Sequence, residues 1–366
     1  MKQTTNSGPL FGLKIIEFEG IGPAPLAGQL LSDLGADVIK IKKKPDNKKK
    51  EPILDRKKNI INLDLKSKKD KSLAKKLISK ADILIEGFRP GVMERLGLGP
   101  MECEKINVKL IYGRITGWGQ DGPYAKKAGH DINYLAITGA LNTIGNKETP
   151  PIPPLNLLGD YAGGTMFLIM GILSALWERN TSKKGQVVDA AMIEGVPALM
   201  SLIHTFISEK NWNNTRSSNL LDGGCPYYRC YETKDGLFVS VGALENKFFA
   251  VLIEKLALNQ NWIKDQENKS KWDQLTKEFS EKFLTKTRKE WESIFFETDA
   301  CVEPVLNFEE VEGNSQNQAR KIFYRENNIL QANTAPKFSR SIPQEQSNKA
   351  CSAKTTIQIL KEWNID

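Results

Sequence analysis

The sequence predicts an α/β protein, with a large Rossmann-like domain on a parallel sheet and a smaller α+β domain after it. Three observations carry this reading. Between Leu13 and Met192, short β-branched runs alternate with helical stretches, the order that gives parallel strands joined by right-handed crossovers. After the polar, turn-rich stretch Asn211–Asn219, the texture changes to paired strands around an Asp-Gly turn. At 366 residues the chain is also longer than one ordinary domain. The expected divisions are a large domain at 10–210, a linker at 211–221, a small domain at 222–316, and a C-terminal segment at 317–366 that returns to the large domain.

Taken in order, Leu13–Phe18 lies between Gly12 and Gly20 and reads as a buried strand. Ile21-Gly22-Pro23-Ala24-Pro25 is a turn into a helix at Leu26–Leu34, closed by Gly35, and Ala36–Ile41 is the second strand. Prolines stand where a dinucleotide loop needs phosphate-cradling glycines, so Gly20-x-Gly22 is not a dinucleotide motif. A strand at Asn59–Leu63, an amphipathic helix at Ser67–Ser79 and a strand at Asp82–Ile85 lead to Gly87-Phe88-Arg89-Pro90-Gly91. Arg89 thus follows a strand, where parallel-sheet ligands bind and a guanidinium suits an anion, although arginines near surface turns are common. A helix at Met101–Asn107 and a strand at Lys109–Arg114 precede the loop Gly117–Tyr124. Gly185–Met192 feeds a helix continuing past Gly195 to Ile207, on which His204 has a packed or surface role.

In the small domain, strands at Tyr227–Thr233 and Leu237–Val241 flank Lys234-Asp235-Gly236, and helices follow at Lys247–Leu258, Trp272–Leu284 and Lys289–Phe296. The tail from Asn317 is polar, with a last amphipathic turn near Thr356–Trp363 placed to dock on the first domain.

Composition narrows the function classes. Hydrophobic content of 40% and charged content of 26% are those of a soluble globular protein. The longest apolar run, about Met166–Leu176, is broken by Gly171 and Ser174 and falls short of the roughly 20 residues of a membrane span. The first residues lack a signal-peptide core and Asn364-Ile365-Asp366 is no peroxisomal address, so the expectation is a cytoplasmic protein with no membrane span. Five cysteines without C-x-x-C spacing support neither a disulfide framework nor a zinc site, and no metal is expected. The net charge of +8 concentrates in Lys40, Lys42, Lys43, Lys44, Lys48, Lys49, Lys50, Arg56, Lys57 and Lys58. That run is either a solvated surface or a site for a polyanion such as phosphate. Nucleic acid is not the expected partner, because no recognised module or aromatic platform accompanies the charge.

The stretch Gly129–Gly164 concentrates the chemistry. One of only two histidines, His130, stands between Gly129 and Asp131 at a loop-to-helix junction. Asp160 follows a proline-broken run and precedes a helical pattern at Tyr161–Glu178, so it reads as sitting at a helix N-terminus, where the dipole favours an anion. An aspartate there is often only an N-cap. Gly163 and Gly164 in the same turn lower helix propensity and suggest close approach of a ligand or another backbone.

Together, Gly129-His130-Asp131-Ile132-Asn133-Tyr134-Leu135-Ala136, Asn156–Gly164, Gly185–Ala190, Leu221-Asp222-Gly223-Gly224 and Thr298–Leu306 resemble the α-methylacyl-CoA racemases, a family within the family III CoA-transferase superfamily of CaiB/BaiF type. The resemblance runs from about Gly12 to Gly313, with several motifs in the same order. It implies an interlocked homodimer with the site between subunits, and an acyl-CoA substrate acted on in fatty acid metabolism without any cofactor, CoA being part of the substrate. It makes His130 and Asp160 the catalytic pair and Glu245 the carboxylate that partners the histidine. Asn62, Leu63, Asp64 and Leu65, with Gly129, Asp131, Ile132, Asn133 and Tyr134, match substrate-binding segments, and Arg89 matches a CoA phosphate contact. Lys43 stands where racemases often carry an arginine, which keeps the charge and loses the bidentate fork. The implied activity is inversion of the carbon next to a thioester, one group removing the α-proton and another returning it. The alternative is a CoA-transferase whose matching aspartate attacks the thioester. Transferases of the superfamily generally do without the Gly-His-Asp histidine, so His130 points to the racemase.

Overall fold

The structure, a computed structural model, describes residues 8–44, 53–343 and 354–365. Among these, one compact unit holds the residues up to Thr138, Pro154–Met200 and those from Lys321; the other holds Gly139–Pro153 and Ser201–Arg320.

The first unit is built on six strands: β1 (Lys14–Phe18), β2 (Asp37–Lys43), β3 (Asn59–Leu63), β4 (Ile83–Glu86), β5 (Ile111–Thr116) and β6 (Val187–Ala191). All pair in parallel, in the order β3-β2-β1-β4-β5-β6. The central strands β1, β4 and β5 are largely apolar because both faces are covered. Ile16, Phe18, Ile39, Ile41, Leu84 and Tyr112 enter one core; Ile15, Val38, Ile83, Ile85 and Ile111 enter the other. The chain reverses direction across the sheet between β1 and β4, so their carboxyl ends open the crevice in which such sheets hold ligands.

Several local expectations change. The first helix spans Pro23–Asp33, because Pro23 and Pro25, read as a turn, fit the first helical positions where no amide hydrogen is needed. Asp160 does not begin an α-helix. It lies in the first turn of a π-helix, Leu157–Met166, which runs on into an α-helix at Phe167–Ser182. The joined helix, Leu157–Ser182, is long and apolar enough to cross a membrane by length and composition. Leu168, Ile169, Ile172 and Ala175 on its inner face are buried in the core of the sheet. The helix after β6 is two helices, Met192–Leu199 and Ser201–Ser208, with Pro197 in the first.

The basic run is also reassigned in part. Lys40, on β2, pairs with Asp55 at 2.6 Å and Glu17 at 3.6 Å, and Lys58 pairs with Glu17 at 2.6 Å. Lys42 lies 3.4 Å from Asp55, and Arg56 donates to Asp33 at 3.1 Å. These four side chains are buried and held by carboxylates of the same unit, as buried charge requires, and so are not free for a phosphate. Lys43 and Lys44 are exposed; Lys48, Lys49 and Lys50 lie outside the described residues.

The polar tail contains a hairpin, β10 (Phe323–Glu326) and β11 (Ile329–Ala332), turning at Asn327 and Asn328, both of positive φ. Arg56 reaches it through Tyr324 and Gln331. The last helix, Thr356–Glu362, places Ile359, Trp363 and Ile365 in the first unit's core, where the Trp363 indole donates to Asp37 at 2.6 Å.

The second unit has an antiparallel sheet of β7 (Tyr228–Glu232), β8 (Phe238–Gly242) and β9 (Val302–Pro304). The expected turn is present, with Gly236 at φ 72. Helices Asn246–Lys255, Trp272–Phe283 and Arg288–Phe295 close an aromatic core around Phe249, Phe279, Phe283 and Trp291. Residues 139–153 are pinned to this unit by Arg216, which donates to Asn142 Oδ1 and the carbonyls of Asn146 and Thr149.

Candidate active site

The candidate site lies within the first unit, beyond the carboxyl ends of β1 and β4. The loop after β1 reaches Gly22, whose φ of 74 suits glycine, and a Cβ there would stand 3.1 Å from Asp160 Oδ2. The Asp160 carboxylate therefore rests against the backbone that leads into helix Pro23–Asp33. After β4, the Glu86 carboxylate accepts from the Phe88 amide at 2.7 Å and from Arg114 Nε at 2.8 Å, which fixes the turn that presents Arg89.

His130 is the N-cap of the helix Asp131–Ile137, in extended backbone conformation, and its amide donates to Asn133 Oδ1 at 3.0 Å. The imidazole belongs to an exposed residue; Asp131, next to it, is buried. The Asp131 side chain turns inward, and Oδ2 accepts from the Asp160 amide at 2.7 Å. Gly159 makes room for this contact, since a Cβ there would meet Asp131 Oδ2 at 2.5 Å. Asp131 is thus a strut between the histidine's helix and the π-helix. Tyr134, one turn further, fills a slot between Gly117 and Gly129, with its ring 4.7 Å from that of Trp118 and edge-on to it.

The electrostatics tie these residues together. Burial holds the Asp160 carboxyl above the ordinary aspartate range, and the Asp131 carboxylate adds to this; a hydrogen bond from the Asn156 side chain and the nearby His130 act the other way. Burial also raises the Tyr134 hydroxyl, helped by Asp160 and opposed by Arg89. The charges of Asp131 and His130 thus bear on Asp160, and those of Asp160, Arg89 and Asp131 on Tyr134. An aspartate of raised proton affinity within electrostatic reach of a histidine can take up and give back a proton.

The remaining expected residues fall elsewhere. Lys43 and Leu63 are register partners on β2 and β3, so Lys43 and Asn62, Leu63, Asp64 and Leu65 share the outer end of the same carboxyl edge. Leu63 is buried in the core, which leaves only its backbone for a ligand. Ile132 is exposed on the histidine's helix. Glu245 belongs to the second unit, as N-cap of helix Asn246–Lys255. Reading residue by residue named Asn156 only within the Asn156–Gly164 motif and gave Gly22 no role in the site; the glycine before Pro23 was the signal for the second.

Residues 10–350 match CoA-transferase family III. The chain is 40% identical over 359 residues to an α-methylacyl-CoA racemase of Mus musculus, across 97% of this chain and 93% of that one. It is 41% identical over 314 residues to the Homo sapiens protein of that name, across 86% and 82% of the two chains. A CaiB/BaiF family protein from Brucella suis shares the fold, with a TM-score of 0.81 at 23% identity over 98% of this chain and 100% of that one.

Proposed function

The chain belongs to CoA-transferase family III, and we propose that it is a racemase interconverting the (2R)- and (2S)-epimers of 2-methylacyl-CoA thioesters. The observation that carries this reading is the pairing of His130 with an Asp160 of raised proton affinity, in a chain so similar over its length to racemases of that name. The α-hydrogen is acidified by the thioester carbonyl. One of the two residues removes it, the planar enolate forms, and the other returns a proton to the opposite face. The roles exchange in the reverse direction. The chemistry asks for no metal or redox group.

Arg89 and Lys43 are the cations assigned to the CoA phosphates, and the segments at Asn62–Leu65 and Gly129–Tyr134 to substrate. The chain works as a homodimer in this reading. In support, Met166, Met170, Leu173 and Trp177 expose one apolar helix face, and such patches mark association surfaces. Glu245 is assigned to orient the imidazole and stabilise its charged form.

The direct test supplies the enzyme with a single epimer of a 2-methylacyl-CoA in deuterated water. Deuterium should enter at the α-carbon while the epimer converts toward a mixture, with the thioester intact and no acid acceptor present. CoA transfer that depends on an added acid, without α-exchange, would install the transferase instead.

A pH measurement probes the neighbour of Asp160. Asp131→Asn keeps an oxygen to accept the Asp160 amide and removes the like charge that holds the Asp160 proton affinity up. With that cause gone, the Asp160 pKa falls, so the limb of the pH–rate profile set by its ionisation moves to lower pH. An unmoved limb would show that burial alone sets the value.

A further inference from the structure

We propose that Thr165 is a positioning residue for Asp160: its buried hydroxyl pins the π-turn that carries the carboxylate to the Gly22–Pro23 backbone against which that carboxylate rests. The proposal rests on the racemase reading for what Asp160 does, and on geometry for how Asp160 is held.

The π-turn is the unusual element. Such turns are rare within helices and cluster at functional sites, and they persist where surrounding contacts fix them. On one side the π-helix lies against helix Met192–Leu199. A Cβ at Gly195 would stand 1.9 Å from the Gly163 carbonyl, and one at Gly163 would stand 2.7 Å from Val196. On the other side it meets helix Pro23–Asp33, and there the link is a hydrogen bond. Thr165 is 0% exposed, and its Oγ1 lies 2.9 Å from the Pro23 carbonyl and 3.3 Å from that of Asp160.

The hydroxyl has one proton, and the shorter contact is to Pro23. The Asp160 carbonyl shares the same hydrogen at longer range. Thr165 thus ties three things together: the carbonyl of Asp160 itself, the residue next to Gly22, and the helix that follows β1. Gly22 faces Asp160 Oδ2, so any slip between the two elements moves the carboxylate along its own support. Valine in place of Thr165 keeps the branch and volume and deletes only the donor. The Pro23 and Asp160 carbonyls can still accept within their own helices, so the variant leaves no bare buried acceptor and should fold.

The experiment measures α-deuterium exchange from a single epimer by wild type, Thr165→Val and Thr165→Ser. With the carboxylate displaced and the CoA contacts untouched, kcat in Thr165→Val should fall by about 10- to 100-fold while KM stays within about threefold. Thr165→Ser, which restores the donor, should recover most of kcat. Wild-type kcat in Thr165→Val, or an equal loss in Thr165→Ser, would overturn the proposal. If Thr165→Val does not fold, Thr165→Ala against Thr165→Ser makes the same comparison. A wild type that exchanges no α-hydrogen would refute the racemase reading instead. In that case the 13C titration of the Asp160 carboxyl decides on Thr165: displaced in the variant and restored by serine under the proposal, superimposable in all three against it.

Discussion

His130→Ala is expected to abolish interconversion of 2-methylacyl-CoA epimers, and to abolish α-deuterium exchange for one epimer while sparing the other. The asymmetry follows from two residues serving opposite faces of one carbon. An epimer whose α-hydrogen faces His130 loses its base, and its exchange should fall by about 10²- to 10⁴-fold, the range for a positioned acid–base group. The other epimer presents its hydrogen to Asp160, which still removes it and can return solvent deuterium to the same face. That epimer should therefore exchange with retention. The measurement is α-proton loss by NMR for each epimer separately, beside chiral analysis of the product. Equal losses for both epimers would mean that one group handles both protons, or that His130 acts on binding. His130 is exposed and its own amide is held by Asn133 at 3.0 Å, so truncation past Cβ should leave the helix it caps intact.

How much of this could be read beforehand differs by residue, and the differences have physical causes. The sheet was legible because its central strands are buried on both faces and therefore appear as short, largely apolar runs; β1 and β4 are examples, although each carries a buried glutamate, Glu17 or Glu86. His130 at a helix start was legible from its neighbours alone. The basic run was not, because the carboxylates that absorb it are distant in sequence or on another element: Glu17 for Lys40 and Lys58, Asp33 for Arg56. A π-turn has no composition of its own. Leu157–Met166 reads as the ragged start of an α-helix, and only packing against Gly195 and Pro23 distinguishes the two. The transfer of residues 139–153 to the second unit depends on Arg216, some seventy positions from the carbonyls it holds. By contrast, the Asn327-Asn328 hairpin carried its signal in the sequence, since consecutive asparagines tolerate the positive φ that a tight turn asks for.

Asp160→Asn should give the mirror image of the histidine variant, and it also separates the two chemistries that this fold supports. The amide cannot take up a proton at working pH, so exchange of the epimer that faces Asp160 should fall by about 10²- to 10⁴-fold, and the epimer spared by His130→Ala becomes the one that is lost. Together the two variants assign a base to each epimer. Asparagine has nearly the shape of aspartate, and the Asp131 carboxylate accepts from the backbone amide of residue 160, which the substitution leaves in place. Loss of activity with an unchanged fold is therefore the expected pattern. In a transferase, the same substitution would remove a nucleophile, acyl transfer to an acid acceptor would stop, and the wild-type enzyme would yield an Asp160 hydroxamate when trapped with hydroxylamine. The racemase forms no acyl bond to Asp160. Hydroxylamine should then leave wild-type Asp160 unmodified during turnover, and His130→Ala together with Asp160→Asn should stop exchange from both epimers. A hydroxamate at Asp160, with transfer surviving in His130→Ala, would replace proton transfer by covalent catalysis at the same carboxylate.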